Sequence, residues 1–342
     1  MADTTRFATT LVGSYPQPGW LIDRAALRVP RVRRPELWRV GDDAIAEAAD
    51  DAVRLALADQ VAAGIDIVTD GESRRESYSN FFANALLGID HAHPGTAPSR
   101  VEGAPPMVVP RVTGPIRRPG PIEVAEVTFL RPLTERKIKV TVPGPFTLSQ
   151  QAEDDYYRDE VALARAYAEA VHEEARDLFA AGADVVQFDE PFFAARPDKA
   201  RAFGLEALEA ALDGLEGRTA VHLCFGYAAV VEGRPARYEF LTELARSRVD
   251  EISIETAQSR LDCAPLAALA DKTVILGVLD LSSNAVESPD EIVARVERAL
   301  PFVAPERLVL APDCGMKFLA RDAARAKLVA LGEAARRLRG EI

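Results

Sequence analysis

The apolar run Thr219-Ala-Val-His-Leu-Cys-Phe-Gly226 carries His222 and Cys224 two residues apart. Alternate residues of a β-strand leave the same face, so an imidazole and a thiol would point from this run toward one spot. That is a metal-ligand arrangement. With only four histidines and three cysteines in the chain, coincidence is a poor explanation for it, and imidazole with thiolate suits zinc best. Two further ligands are expected from other strands. Asp250 to Thr256 reads as a strand ending in Glu255, and Leu308 to Gly315 as a strand ending in Cys314. His222, Cys224, Glu255 and Cys314 would then offer one nitrogen, two sulfurs and one oxygen to a tetrahedral ion. The competing reading is that the cysteines are small buried hydrophobes and the carboxylate a helix cap. Spacing alone leaves both open.

Two thiolates and a carboxylate outweigh the charge of a zinc dication, so such a site is a poor Lewis acid for activating water. It is suited to holding an incoming thiol as thiolate. A free thiol has a pKa of ~8.5, and coordination deprotonates it. The implied chemistry is attack of a substrate sulfur on an electrophilic carbon.

The elements that would position these residues recur along the chain. Strand-like runs start near residues 9, 66, 138, 184, 219, 251, 273 and 308. Helical periodicity covers 42–63, 158–181, 197–215, 289–300 and 321–338. Each strand is followed by a helical stretch except where a proline-punctuated excursion intrudes at about 90–137. There, two alternating runs, Val108 to Ile116 and Ile122 to Leu130, read as an antiparallel pair. His91 and His93 at its start read as loop residues, since no third metal ligand lies nearby. This is the pattern of a (β/α)8 barrel in one domain spanning 1–342. A doubly wound sheet would carry a glycine-rich phosphate turn, and neither G-x-G-x-x-G nor a P-loop occurs.

A barrel active site lies at the carboxyl ends of its strands. Ser14, Asp70, Glu72, Asp189, Glu190, His222, Cys224, Glu255, Asp280, Asp313 and Cys314 all fall there. The arginines at 28, 31, 33 and 34 read as a solvated excursion, with a docking surface for an acidic ligand as the alternative.

The 342 residues, 48% hydrophobic and 27% charged, are ordinary for a soluble globular protein with a sizeable core. A net charge of -12 repels nucleic acid and anionic membrane, so neither is an expected partner. Three sparse cysteines build no disulfide framework and point to a reducing, cytoplasmic setting. Cys263 reads as structural. The start, Met1 to Phe7, lacks the regions of a signal peptide, and no apolar run nears the ~20 residues of a membrane helix.

Seven segments together resemble the catalytic carboxy-terminal barrel of cobalamin-independent methionine synthase. They are Gly13-Ser-Tyr-Pro-Gln17, Asp70-Gly-Glu72, Pro143-Gly-Pro-Phe-Thr147, Gln187-Phe-Asp-Glu-Pro191, His222-Leu-Cys224, Ser253-Ile-Glu-Thr256 and Pro312-Asp-Cys-Gly-Met-Lys317, in the family's order over nearly the whole chain. The resemblance implies zinc on His222, Cys224, Glu255 and Cys314. It also implies homocysteine bound through sulfur, its ammonium received by Glu72 and Asp189 and its carboxylate by the Gly13-Ser14 turn. For the two carboxylates, an ion pair with Arg74 or Arg75, or a helix cap, is an equally open reading.

The chain departs from the family twice. Full-length members carry a second, amino-terminal barrel, for which these 342 residues leave no room, so the resemblance is to a short form. The family's donor-protonating histidine follows an Asp-Ile-His pattern, where this chain has Asp280-Leu-Ser282. Methyltetrahydrofolate needs its leaving nitrogen protonated, which serine cannot do near neutral pH. Asp280 or a water would have to serve. Otherwise the methyl comes from a methyl-corrinoid protein or from another methylated small molecule. Rival readings are a zinc-dependent alkyl-thiol transferase joining coenzyme M to an epoxide, a metal-free barrel like uroporphyrinogen decarboxylase, and a binding module without turnover.

Overall fold

The computed structural model describes the chain except residues 1–5, 29–31, 33–34, 101–103, 226–237, 239 and 270. Eleven strands are assigned among the described residues: β1 (Ala8–Thr9), β2 (Ile67–Val68), β3 (Leu87–Ala97), β4 (Met107–Arg117), β5 (Lys137–Pro143), β6 (Glu153–Asp154), β7 (Val185–Asp189), β8 (Arg218–Leu223), β9 (Glu251–Glu255), β10 (Thr273–Leu279) and β11 (Leu308–Pro312). Eight form one sheet in the order β1-β11-β10-β9-β8-β7-β5-β2. Their pairings are parallel, and a parallel bridge from Thr10 to Ile67 joins the two ends. The fold is therefore a (β/α)8 barrel, with every barrel strand within a residue of its expected start.

The barrel strands are rich in Val, Ile and Leu because both faces are buried. Inward residues Val12, Val185, Ala220, Ile275, Val309 and Ala311 pack as an apolar plug in the lumen. The outward faces meet the helices. Glu160–Ala180 buries Leu163, Tyr167, Val171, Ala175 and Leu178 at three-to-four-residue spacing, and Asp159 caps it by accepting from Val161 N and Ala162 N. Each fully buried Leu or Val contributes roughly 1.5–3 kcal/mol, so a charge at Val171 would break this packing.

The excursion differs in part from expectation. Val108 to Ile116 lies in β4, but its antiparallel partner is β3, and Ile122 to Leu130 contains a helix, Val124–Leu130. The reason is periodicity: Val127 and Leu130 are buried three apart, while Glu123 and Glu126 turn inward to meet Arg75 and Arg74. A period of two was read into residues whose charged members are buried. His91 and His93 lie within β3, where the register with β4 shifts between Asp90 and Gly95, and His93 Nδ1 is 3.0 Å from Asp90 Oδ2.

Two connections also depart. Expected helix 197–215 is interrupted by a π-turn at Ala200–Gly204 and ends at Leu212. After β9 comes a 3-10 turn, Ala264–Ala268, in place of an α-helix. Arg31, Arg33 and Arg34 lie outside the described residues. Cys263 is buried in the main core. No helix among the described residues is long and apolar enough to cross a membrane.

Candidate metal centre

His222 is the inward residue near the end of β8, and Cys224 follows that strand by one residue. Glu255 ends β9, and Cys314 lies two residues past β11. All four are buried, and their ligand atoms lie within 4.8 Å of one another. Among the described residues this is the one such group of metal-ligating side chains. Parallel register places the ligands at one height: His222 pairs with Ser253, and Leu223 with Ile254 beside Glu255.

Each ligand is held by a neighbour. His222 Nδ1 is 2.9 Å from Ser253 Oγ, which leaves Nε2 buried without a hydrogen-bond partner. A buried, unpartnered imidazole nitrogen is costly unless something accepts its lone pair, and a metal does so. Glu255 Oε1 accepts from Phe225 N at 2.9 Å. Its own amide donates to Tyr238 Oη at 2.6 Å, and that hydroxyl donates to Leu223 O at 3.2 Å, so Tyr238 joins the ends of β8 and β9. Asp313 accepts from Thr256 N, Ala257 N and Gln258 N at 3.0, 3.0 and 2.7 Å, which shapes the turn immediately after Glu255.

Cys224 Sγ and Cys314 Sγ are 3.0 Å apart, far longer than the ~2.05 Å of a disulfide, and both cysteines are free. They share a proton. Its hydrogen bond from Cys314, helped by His222, pushes the Cys224 thiol well below its ordinary range; Cys314, holding the proton beside that thiolate, is pushed up. Two hydrogen-bonded cysteine sulfurs, a bare imidazole nitrogen and a carboxylate make a donor set that fits zinc.

Beside the ligands lie two more buried carboxylates. Asp189, next to His222 in register, is pushed up to about 7 by burial and by the charge of Glu72, against the opposing pull of His222 and Gln187. Glu72 adopts a left-handed backbone, φ 53°. Its Oε1 accepts from Thr141 Oγ1 at 3.1 Å, and Oε2 is buried without a partner. The arginine alternative is not realised for Glu72. Arg74 pairs with Asp50 and Glu126, and Arg75 with Asp70 and Glu123. Two mutually repelling carboxylates, one with an orphan oxygen, form an environment that a cation would relieve. A Cβ on Gly13 would fall 2.5 Å from Glu72 Oε1, so only glycine lets the two loops approach. Ser14 is buried in that loop, its carbonyl accepting from Met316 N at 2.8 Å.

The remaining strand-end residues divide. Glu190 accepts from Phe146 N, Thr147 N and Thr147 Oγ1 at 3.0, 2.8 and 2.6 Å, tying β7 to the helix Pro145–Gln150 outside the ligand group. Asp70 is the partner of Arg75. Asp280 is not one of the clustered ligands: half-buried, its Oδ1 accepts from Ser282 N at 2.8 Å and its carbonyl from Lys327 Nζ at 2.9 Å. Ser253, Tyr238 and Thr141 were not singled out from sequence. For Ser253 a signal existed, because it alternates with Glu255 on one strand. Tyr238 follows 226–237 and carried none. Arg196 Nη2 donates to Pro98 O at 2.7 Å, and the charge of Arg100 acts on Cys224 and on Tyr78.

The chain is similar to known proteins over nearly its whole length. The family described as "Cobalamin-independent synthase, Catalytic domain" matches residues 7–337. The methionine synthase of Saccharolobus solfataricus is 31% identical over 339 residues, covering 98% of this chain and 95% of that protein. That of Sulfurisphaera tokodaii is 30% identical over 335 residues, covering 98% and 93%. A solved B12-independent methionine synthase from Shewanella sp. W3-18-1, in complex with selenomethionine, superposes with a TM-score of 0.90 at 33% identity over 98% of both chains. The single barrel with its buried His/Cys/Glu cluster is thus a methyltransferase, and the chain belongs to the cobalamin-independent synthase catalytic-domain family.

Proposed function

We propose that the protein transfers a methyl group to the sulfur of homocysteine, forming methionine, at a zinc site made by His222, Cys224, Glu255 and Cys314. The convergence of four buried ligand atoms carries this reading. Zinc, when bound there, supplies the positive charge that keeps a substrate thiol deprotonated at neutral pH. Glu72 and Asp189 receive the substrate ammonium, and the Gly13-Ser14 turn its carboxylate. The carbon–sulfur bond forms as the donor–methyl bond breaks, and the electron pair of the broken bond leaves with the donor.

The acceptor is favoured over coenzyme M by the paired carboxylates, which a sulfonate lacking an ammonium would not use. The selenomethionine complex named for the Shewanella protein is in keeping with an amino-acid product. For the donor we favour a methyl-corrinoid protein over methyltetrahydrofolate. The carboxylate of Asp280, the acid a folate would require, is engaged by Ser282 N. With a folate donor, Asp280 would be the catalytic acid. We read the chain as one catalytic domain over 1–342, working in the reducing cytoplasm where the free thiols of the site persist. Neither nucleic acid nor membrane is a partner in this reading.

The test is zinc X-ray absorption on metal-replete protein, alone and with homocysteine or mercaptoethanesulfonate. One zinc per chain that gains a sulfur with homocysteine, and not with the sulfonate, is the expected result. Absence of stoichiometric zinc would sink the mechanism. Supplying each methyl donor in turn then identifies the second substrate.

A further inference from the structure

Two residues of the recognised segments, Gln17 and Lys317, have no part in the ligand set. Both are buried, and both converge on one stretch of backbone. Gln17 Nε2 donates to Ser73 O at 3.0 Å and Arg75 O at 3.1 Å. Lys317 Nζ donates to the same Arg75 O at 2.8 Å and to Glu76 O at 2.9 Å. Arg24 bridges behind them, donating to Gln17 O at 2.9 Å and Lys317 O at 3.3 Å.

The clamped stretch is the loop that carries Glu72. It is a tight turn, with Arg75 N donating to Glu72 O at 3.1 Å and Ser73 Oγ to Asp70 O at 3.0 Å. Glu72 itself sits in a backbone region that non-glycine residues disfavour. Such a conformation persists only when its surroundings over-determine it. Lys317 lies three residues beyond Cys314, and Gln17 three beyond Ser14.

We propose that Lys317, assisted by Gln17, is a positioning residue that locks the Glu72 loop onto the loops of Cys314 and Ser14, so that the amino-acid ammonium site is held by the segment bearing the fourth metal ligand. The inference rests on the reading of Glu72 given above and adds a specificity device to it. A thiol with an ammonium group depends on the clamp, whereas a thiol without one depends on the metal ligands alone.

The test uses the full chain, zinc-loaded, as wild type, Lys317→Met, Lys317→Arg and Gln17→Leu. Titration calorimetry compares homocysteine with 3-mercaptopropionate, which lacks the ammonium, and amide exchange is followed over 70–76. In Lys317→Met, homocysteine affinity should fall ~10–100-fold, the range for losing hydrogen bonds from a charged donor. Zinc stoichiometry and mercaptopropionate affinity should hold within about twofold, and exchange over 70–76 should quicken. Lys317→Arg, which still reaches two carbonyls, should recover most of the loss. Gln17→Leu should give the same split in weaker form, and it serves if Lys317→Met does not fold. Equal weakening of both thiols, or unchanged homocysteine binding with unchanged exchange, overturns the proposal. If wild type itself fails to prefer homocysteine, the functional reading fails instead, and exchange over 70–76 still decides whether Lys317 holds the loop.

Discussion

Replacing Asp313 by asparagine changes no volume, yet it should weaken both the fold and the metal site. One carboxylate oxygen of Asp313 accepts from Thr256 N and Ala257 N, and the other from Gln258 N at 2.7 Å. Asparagine can keep the first oxygen, but its NH2 then faces the Gln258 amide. That removes one charge-assisted bond, worth ~1.5–3 kcal/mol, and weakens two others by loss of charge. A net cost of about 3 kcal/mol follows, limited by whatever relaxation the turn allows. The turn begins immediately after Glu255, and Asp313 immediately precedes Cys314, so two of the four ligands lose their fixed geometry. If about half of the cost is felt at the ligands, zinc affinity falls ~10-fold, since 1.4 kcal/mol is a factor of ten. Chelator competition measures the affinity, and urea denaturation of metal-free protein the stability. Gly277→Ala is an independent probe, because its Cβ would fall 2.4 Å from Asp313 Oδ1. Asp313→Asn protein that melts normally and binds zinc within twofold of wild type would refute the reasoning.

In Cys314→Ser, Cys224 loses its proton-sharing partner and the site one sulfur; zinc X-ray absorption should show one fewer sulfur, and an unchanged number would remove Cys314 from the ligand set. Glu72→Gln should raise the homocysteine KM by ~10–100-fold through loss of a charged acceptor, with zinc content unchanged, and an equal effect on 3-mercaptopropionate would contradict the ammonium role. Metal-free protein should lose stability as pH rises. Burial pushes Glu126 up to about 7 and Glu190 up to about 8 from an ordinary carboxyl value of 4.5. Between pH 4.5 and about 8 the native state therefore holds more of their protons than the unfolded chain, and stability falls across that window. Thermal melts at successive pH values check this, and Glu126→Gln should flatten the lower part of the slope. A melting temperature that climbs from pH 5 to 8 would be incompatible with these buried acids.

What was legible in the sequence rested on local periodicity and rare residue types. Barrel strands buried on both faces read as short Val/Ile runs, so their starts were found within a residue. The Glu160–Ala180 helix announced itself by its amphipathic spacing. The metal group was legible because histidine and cysteine are scarce here and each stands at a strand end. Ile122 to Leu130 was misread because Glu123 and Glu126 are charged yet buried, which reverses the rule that polar residues mark the outer face. Their burial depends on Arg74 and Arg75, about fifty residues away in sequence.

The sequence by itself determined that this chain would close a parallel barrel and bring one imidazole, two thiols and a carboxylate to its carboxyl rim. Residue type and strand period are local properties, and both are written along the chain. Only the tertiary structure decided how those groups are held: the Ser253 contact that leaves His222 Nε2 bare, the shared proton of Cys224 and Cys314, and the orphan oxygen of Glu72. It also decided that Lys317 and Gln17 meet on one carbonyl. These are pairings between segments far apart in sequence, fixed by the register and stagger of the closed barrel, and no window along the chain contains both partners.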